Sequence, residues 1–405
     1  MTKLKAYNIS SQKEFRRRFN TINLEAFMKK VLIILSVLIF IISCGKKDTK
    51  IEVKDGVKHI SNSGEEIFKE IKLSEVFSID LLNNKDSLAN CYSPYFKMFD
   101  NEGNLYIGNE KTSLIKKFDK DGNFLLSFGG RGKGPGEFIS YGNNALNIAI
   151  EDTLYIHDDA SIKYLLFTKE GKFIRNMENI IFSEIYSPTR LAKDKIIGLS
   201  SKTTFSENKK TAFSTTSVVL FNDNMKKIKS FDEIKDIKSM KIETVEYIEW
   251  SKLPFDQELK LLPVKNGFFI SKFSDSKLFI EKFDLSGKKV MEIEKSYRKK
   301  PFKDQKDRDY YGFGKRYKNR KYKRSVTGLF EDGKHRLWVA TPNDGEKKGT
   351  KFYIFEDGIY KFSTILDLGL KSELFLGGIS FVGDKLYLFN FDDNFGVKCY
   401  NIIEE

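Results

Sequence analysis

Histidine, proline and long apolar runs are all scarce in this chain, and each shortage removes a class of explanation. Only His59, His157 and His335 occur in 405 residues. They form no His-x-x-x-His or His-Glu pair, so local spacing offers no zinc site. A Gly-x-Ser-x-Gly nucleophile elbow is missing as well. Seven prolines argue against a disordered, proline-rich chain. The apolar run Val31–Ser43 is shorter than the ~18–20 residues that a spanning helix requires. No cofactor motif survives inspection, and none is expected.

What is abundant is aromatic. Phe (36) and Tyr (18) dominate an aromatic content of 14%, which favours pleated sheet, where such side chains pack well. The formal charge of +14 is local rather than general. Residues 1–43 carry 8 Lys/Arg against 2 Asp/Glu, and Ser296–Ser325 carries 13 against 3. The remainder of the chain is close to neutral.

The N-terminal charge belongs to an address. Met28-Lys29-Lys30 precedes the apolar run, and Cys44 follows Ile41-Ile42-Ser43, which is the layout of a secretory signal. Ile41–Cys44 resembles a bacterial lipobox, which implies cleavage before Cys44 and acylation of that cysteine. The expected division is an upstream extension 1–27, with translation starting at Met28, then a signal peptide 28–43 and a lipid-bearing tether 44–65. An uncleaved membrane anchor is the alternative. Either way the body lies in the cell envelope, outside the cytoplasm. Once Cys44 is acylated, Cys91 and Cys399 remain, either as a disulfide, which an exported compartment permits, or as two buried thiols.

From Ile107 to Phe138 the sequence reads strand, tight turn, strand and glycine-rich corner. The turn Asp121-Gly122-Asn123 between apolar flanks is a strong hairpin signal. Weaker copies follow. A turn and an apolar triplet recur with markers at Leu105, Leu154, Ile196, Phe268, Leu337 and Leu386, spaced 49, 42, 72, 69 and 49 residues apart. A repeat of four short strands with this period is a propeller blade. The predicted fold is therefore all-β: a six-bladed β-propeller over 66–405, with insertions near 231–260 and 296–324. Ile67–Leu82 is one strand too many and the last copy one too few, so the N-terminal strand should complete the final blade. The most specific stretch is Phe128-Gly129-Gly130-Arg131-Gly132-Lys133-Gly134-Pro135-Gly136-Glu137-Phe138. It resembles the blade-to-blade corner of the NHL-like six-bladed β-propeller lipoproteins of bacteria. That resemblance implies a fold and an address more than a reaction.

The corner (Gly132, Gly134, Pro135, Gly136, Glu137, Phe138) lacks the Gly-Lys-Ser/Thr and the helix of a phosphate loop, so Glu137 should cap backbone donors instead. Asp119–Asn123 starts like a calcium loop but fails at positions six and twelve, Phe124 and Gly130. His157-Asp158-Asp159 is the best polar cluster, a candidate ligand site on a loop at the mouth of the axial channel or else a solvated turn. The basic and aromatic segment containing Lys315, Arg316, Tyr317, Arg320, Lys321, Tyr322, Lys323 and Arg324 could hold an anion, with salt-sensitive affinity. The expected function is a lipid-anchored, monomeric binding or scaffold module for a protein, glycan or anionic lipid, and not for nucleic acid. The alternative is a propeller lyase or hydrolase acting on a glycan or peptide.

Overall fold

A computed structural model of the chain describes residues 49–80, 97–109, 112–139, 147–150, 152–158, 160–161, 163–178, 185–192, 194–205, 212–222, 226–238, 259–272, 274–310, 321–343, 348–370, 378–390 and 396–405. Within Ile51–Glu405, a single compact unit, the strands gather into six small sheets. Blade 1 holds β4 (Lys97–Phe99), β5 (Leu105–Asn109), β6 (Leu114–Phe118) and β7 (Phe124–Gly129). Blade 2 holds β8 (Asn147–Ile150), β9 (Thr153–Asp158), β10 (Lys163–Thr168) and β11 (Phe173–Glu178). Blade 3 holds β12 (Ile185–Ala192), β13 (Lys195–Phe205), β14 (Ala212–Asn222) and β15 (Lys227–Lys238). Blade 4 holds β16 (Lys260–Val264), β17 (Gly267–Ser271), β18 (Lys277–Phe283) and β19 (Lys289–Ser296). Blade 5 holds β20 (Gly328–Glu331), β21 (Leu337–Thr341), β22 (Thr350–Glu356) and β23 (Ile359–Leu366). Blade 6 holds β24 (Ile379–Val382), β25 (Lys385–Asn390), β26 (Gly396–Glu404) and, from the other end of the chain, β3 (Ile71–Asp80). Among the described residues there is one helix, α1 (Gln305–Tyr310), and none is long and apolar enough to cross a membrane.

Each blade is an antiparallel meander, and the first strands of successive blades touch from β4 through β24. The second strands are covered on both faces by neighbouring blades. Hence Gly267–Ser271 and Leu337–Thr341 are buried at every position, whereas the outermost β7 is exposed at half of its positions and buried at one. A strand buried on both faces reads as a continuous apolar run, which is why the triplets stood out. The cores lie between blades. Trp338 and Phe352 of blade 5 meet Leu386 and Leu388 of blade 6. Tyr387 and Val397 of blade 6 meet Leu105 and Ile107 of blade 1. Burying one such side chain fully contributes ~1.5–3 kcal/mol, so each blade leans on its neighbours for stability.

The ring closes as the strand count requires. Strand β3 pairs with β26 from Ile71↔Glu404 to Asp80↔Gly396, covering the edge that β26 would otherwise expose. The closure contains no bridge to Cys399, which is a free, buried thiol within the core between blades 6 and 1. Burial pushes that thiol's pKa up, and Tyr387 is its hydrogen-bonding neighbour. Cys91, like Cys44, lies outside the described residues.

The N-terminal segment departs from expectation. Residues 49–62, read above as tether, form a hairpin of β1 (Thr49–Lys54) and β2 (Val57–Asn62), and β2 runs parallel to β19 at the outer edge of blade 4. Asp55 and Gly56 make its turn, both in the left-handed region (φ 52° and 75°). Ile60 is buried beneath the turn of blade 5 at Gly358. At the end of β2, Asn62 donates to Glu294 O and Gly358 O (both 3.1 Å), and beyond it Ser363 N donates to Ile67 O (2.7 Å). The carboxylate of Glu66 takes Tyr353 (2.9 Å), Lys351 (2.5 Å) and Ser363. Burial alone would raise its pKa, but the hydrogen bonds from Lys351 and Ser363 hold it below the ordinary value. The N-terminal segment thus laces the outer strands of blades 4, 5 and 6 together. The first expected insertion also shrinks, because Phe231–Lys238 is the last two-thirds of β15; what separates the blades is 239–259.

Candidate functional site

Strand connectivity gives the propeller two unlike sides. First and second strands, and third and fourth strands, turn on one side. Those turns run from two residues (151–152) to five (100–104). On the other side, where second strands pass to third and blades pass to blades, connections run from four residues (110–113) to 31 (297–327).

The four five-residue turns (100–104, 119–123, 284–288 and 332–336) share one chemistry. Asp100 accepts from Glu102 N (3.0 Å) and Asn104 N (2.9 Å), and Asp119 from Asp121 N (2.9 Å) and Asn123 N (2.8 Å). Asp284 accepts from Ser286 N (2.8 Å) and Lys288 N (3.0 Å), and Asp332 from Lys334 N (3.0 Å) and Arg336 N (2.9 Å). In each, the residue three places on is left-handed: Gly103, Gly122, Gly287 and, in the last, His335 (φ 59°). Asp119, which opened the calcium-like stretch, therefore serves as a hydrogen-bond acceptor for its own turn. Two of the four aspartates go deeper. Asp100 also takes the Tyr106 hydroxyl (3.0 Å), and Asp332 takes Trp338 Nε1 (2.8 Å) and Arg336 Nε (2.8 Å).

The same turns fasten blade to blade. Lys169 of blade 2 reaches Asn101 (2.6 Å) and Glu102 (3.0 Å) of blade 1. Arg336 of blade 5 reaches Glu404 of blade 6 at 2.6 Å. Hydrogen bonds from Arg336 and Lys334 pull the Glu404 carboxyl down to about 2. Lys385 of blade 6 donates to Lys120 O of blade 1 (2.8 Å).

The described residues of the glycine-rich corner, of His157-Asp158 and of the basic segment lie on the side of the long connections. The corner is rigid. Gly132 N donates to Phe138 O (3.0 Å), Phe138 N to Gly130 O (2.8 Å), and Gly134 N to Glu137 Oε2 (2.8 Å). Gly136 has the positive φ expected of a tight corner (79°), but Gly132 serves proximity, since a Cβ there would sit 1.9 Å from Glu137 Oε2. Phe138 is fully buried and stacks on Phe167 at 5.7 Å, joining the corner to blade 2.

His157 and Asp158 are the last residues of β9, a second strand, and not of an innermost one. Both are buried; Asp158 Oδ2 accepts from Ser161 Oγ (2.6 Å) and from Ile139 N (3.2 Å), just beyond the corner. Asp158 therefore fixes the corner to the blade, and the His157 ring packs on Tyr164 (5.2 Å). Asp159 lies outside the described residues.

The basic segment divides likewise. Lys315, Arg316, Tyr317 and Arg320 lie outside the described residues. Lys323 and Arg324 are buried rather than displayed; Lys323 pairs with Asp307 of α1 at 3.0 Å. The rings are occupied by the segment's own cations, with Lys299 over Tyr322 (5.2 Å) and Arg308 over Phe302 (4.5 Å). Arg298, Lys299, Lys303, Lys306 and Lys321 remain exposed.

Two features escaped the sequence reading. In blade 3, β13 and β14 pair five residues beyond the last contact of β12 (Ile185↔Ser200), from Ser201↔Thr216 to Phe205↔Ala212. At ~3.4 Å per residue this is a projection of roughly 17 Å on the long-connection side. Lys97, on the first strand of blade 1, lies with its amine 4.4 Å from the Phe389 ring of blade 6, and burial lowers its pKa to about 7. An 11-residue strand with few large apolar side chains and a three-residue strand both give weak periodicity.

No family model matches the chain, and no curated protein matches it. Solved structures do. A protein of Bacteroides fragilis described as exported is 13% identical over 83% of this chain and 95% of its own, with a TM-score of 0.49. A duf4221 family member from Bacteroides vulgatus is 11% identical over 83% and 99%, with a TM-score of 0.42. The virginiamycin B lyase of Staphylococcus aureus is 12% identical over 82% and 100%, with a TM-score of 0.35. At such identities the likeness concerns the fold alone.

Proposed function

We propose that this chain is an exported, lipid-anchored propeller that binds a protein, glycan or anionic-lipid partner on its long-connection side. The address rests on Lys29-Lys30, the apolar run Val31–Ser43 and Cys44. The binding side rests on one observation, the asymmetry of the ring. Several of its short turns bond blade to blade, while the long connections and the blade 3 projection stand on the opposite side of that frame. Rigid scaffolds that present variable connections are where recognition concentrates. An enzyme built on His157, Asp158 and Asp159 is the weaker reading, because Asp158 already serves the corner. The test is photo-crosslinking in the cell envelope, with the reactive residue at Lys321 or, on the short-turn side, at Asp121. A discrete adduct at Lys321 and none at Asp121 supports the reading; an adduct at Asp121 alone refutes it.

A further inference from the structure

The tether expected over 44–65 is mostly not a tether. Because β1 begins at Thr49, only residues 44–48 separate the acylated cysteine from the sheet. Five residues span at most ~18 Å even when fully extended. The propeller is thus held close to the bilayer, and by one place on its circumference, the outer edge of blade 4. That edge is suited to lipid. Strand β1 is the outermost of the six strands in its sheet, and Ile51 and Val53 are 45% and 70% exposed. Two residues apart, they share one face of the strand. Exposed Lys54, which alternation puts on the opposite face with exposed Lys50 and Glu52, and partly exposed Lys58 of β2 flank them. Apolar side chains beside lysines, next to an acyl chain, supply the second signal that a single lipid needs for stable attachment.

We propose that the β1–β2 edge of blade 4 lies against the bilayer that holds Cys44, so that the propeller stands on its rim with both sides open to the periplasm or medium. This rests on the lipid-anchor reading above. The occupant is the bilayer surface itself: Ile51 and Val53 enter the headgroup boundary and Lys54 and Lys58 meet anionic headgroups. A strand partner at this edge is the competing outcome.

The experiment uses the full-length, acylated protein in phosphatidylethanolamine–phosphatidylglycerol vesicles containing nitroxide-labelled lipid. In a Cys91→Ser background a single fluorophore is placed by Val53→Cys, Leu125→Cys, Asp121→Cys or Lys321→Cys. Leu125 is exposed on the outer strand of blade 1, across the ring from blade 4. Labelled palmitate, incorporated by wild type and not by Cys44→Ala, reports the anchor separately. The proposal expects the label at 53 to lose about half its emission and the other three to lose little. If palmitate is incorporated but the label at 53 is quenched no more than that at 125, the rim contact is wrong and the anchor stands. Stronger quenching at 121 or 321 means that the ring lies on a side, which also overturns it. A crosslinked dimer through residue 53 assigns the edge to a second copy instead. Absence of palmitate from wild type removes the anchor and the proposal together.

Discussion

The two sides of this propeller are built from the same strands and do different work. On one, the turns are of two to five residues, the four five-residue turns are closed by aspartates, and several of these turns are bonded across blade boundaries. On the other, connections reach 31 residues and one blade extends past its neighbours. The lesson is that a repeat can keep its geometry by tightening one set of turns, which leaves the opposite set free to diversify.

The comparison breaks first, and hardest, at Gly267. Its φ is +141°, and a Cβ there would stand 1.9 Å from Phe283 O, a backbone atom of the adjacent strand. Gly267→Ala is expected to cost roughly 4 kcal/mol or prevent folding, whereas Gly130→Ala, with nothing within 4 Å of its Cβ, costs only backbone strain of about 1–2 kcal/mol. Thermal melts of the two variants decide it; equal losses would mean the sides are equally constrained.

Next come the aspartates. Asp332→Ala strips the acceptor from the backbone amides of Lys334 and Arg336 and from the side chains of Arg336 and Trp338, and is expected to lose about 3–5 kcal/mol. Asp158→Ala removes two hydrogen bonds on the other side and should lose about 1–3 kcal/mol, with looser protection at Ile139 N in hydrogen exchange.

The short-turn side should also be the acid-labile one. Glu404 has its carboxyl held at about 2 by Arg336 and Lys334, below its ordinary 4.5. A depressed carboxylate adds stability that is complete above its unfolded pKa and is lost as pH falls towards the folded one. The melting temperature should therefore drop between about pH 4.5 and 2, and this part of the drop should vanish in Glu404→Gln. The smallest effect sharpens the turn motif. His335 occupies the left-handed position that glycine fills in the sister turns, so His335→Gly should raise stability by about 1 kcal/mol in chemical denaturation.

How much of this could be read in advance follows from burial. Second strands such as Leu337–Thr341 are enclosed by two neighbours, so their apolar triplets marked all six blades. The closing strand followed from counting. First strands are short (Lys97–Phe99, Gly328–Glu331), so the triplets passed for the innermost layer and placed His157 and Asp158 at the axis. The hairpin at 49–62 carried an Asp-Gly turn, but its lysines and exposed face resembled a solvated linker. Composition also could not show that Lys323 and Arg324 are buried, because Asp307, which pairs with Lys323, lies earlier in the same segment on a helix that only the fold brings to it.

The most direct test of a binding side opposed to a fastening side is co-purification from solubilised membranes with a trimmed blade 3. Ser201–Thr216 is replaced by Asn-Gly, which keeps the Ser200↔Ser217 pair. The account expects the trimmed protein to melt within a few degrees of wild type and to lose its bound partner. Retention of the partner by that variant, together with its loss on Lys120→Glu or Lys334→Glu, would contradict it.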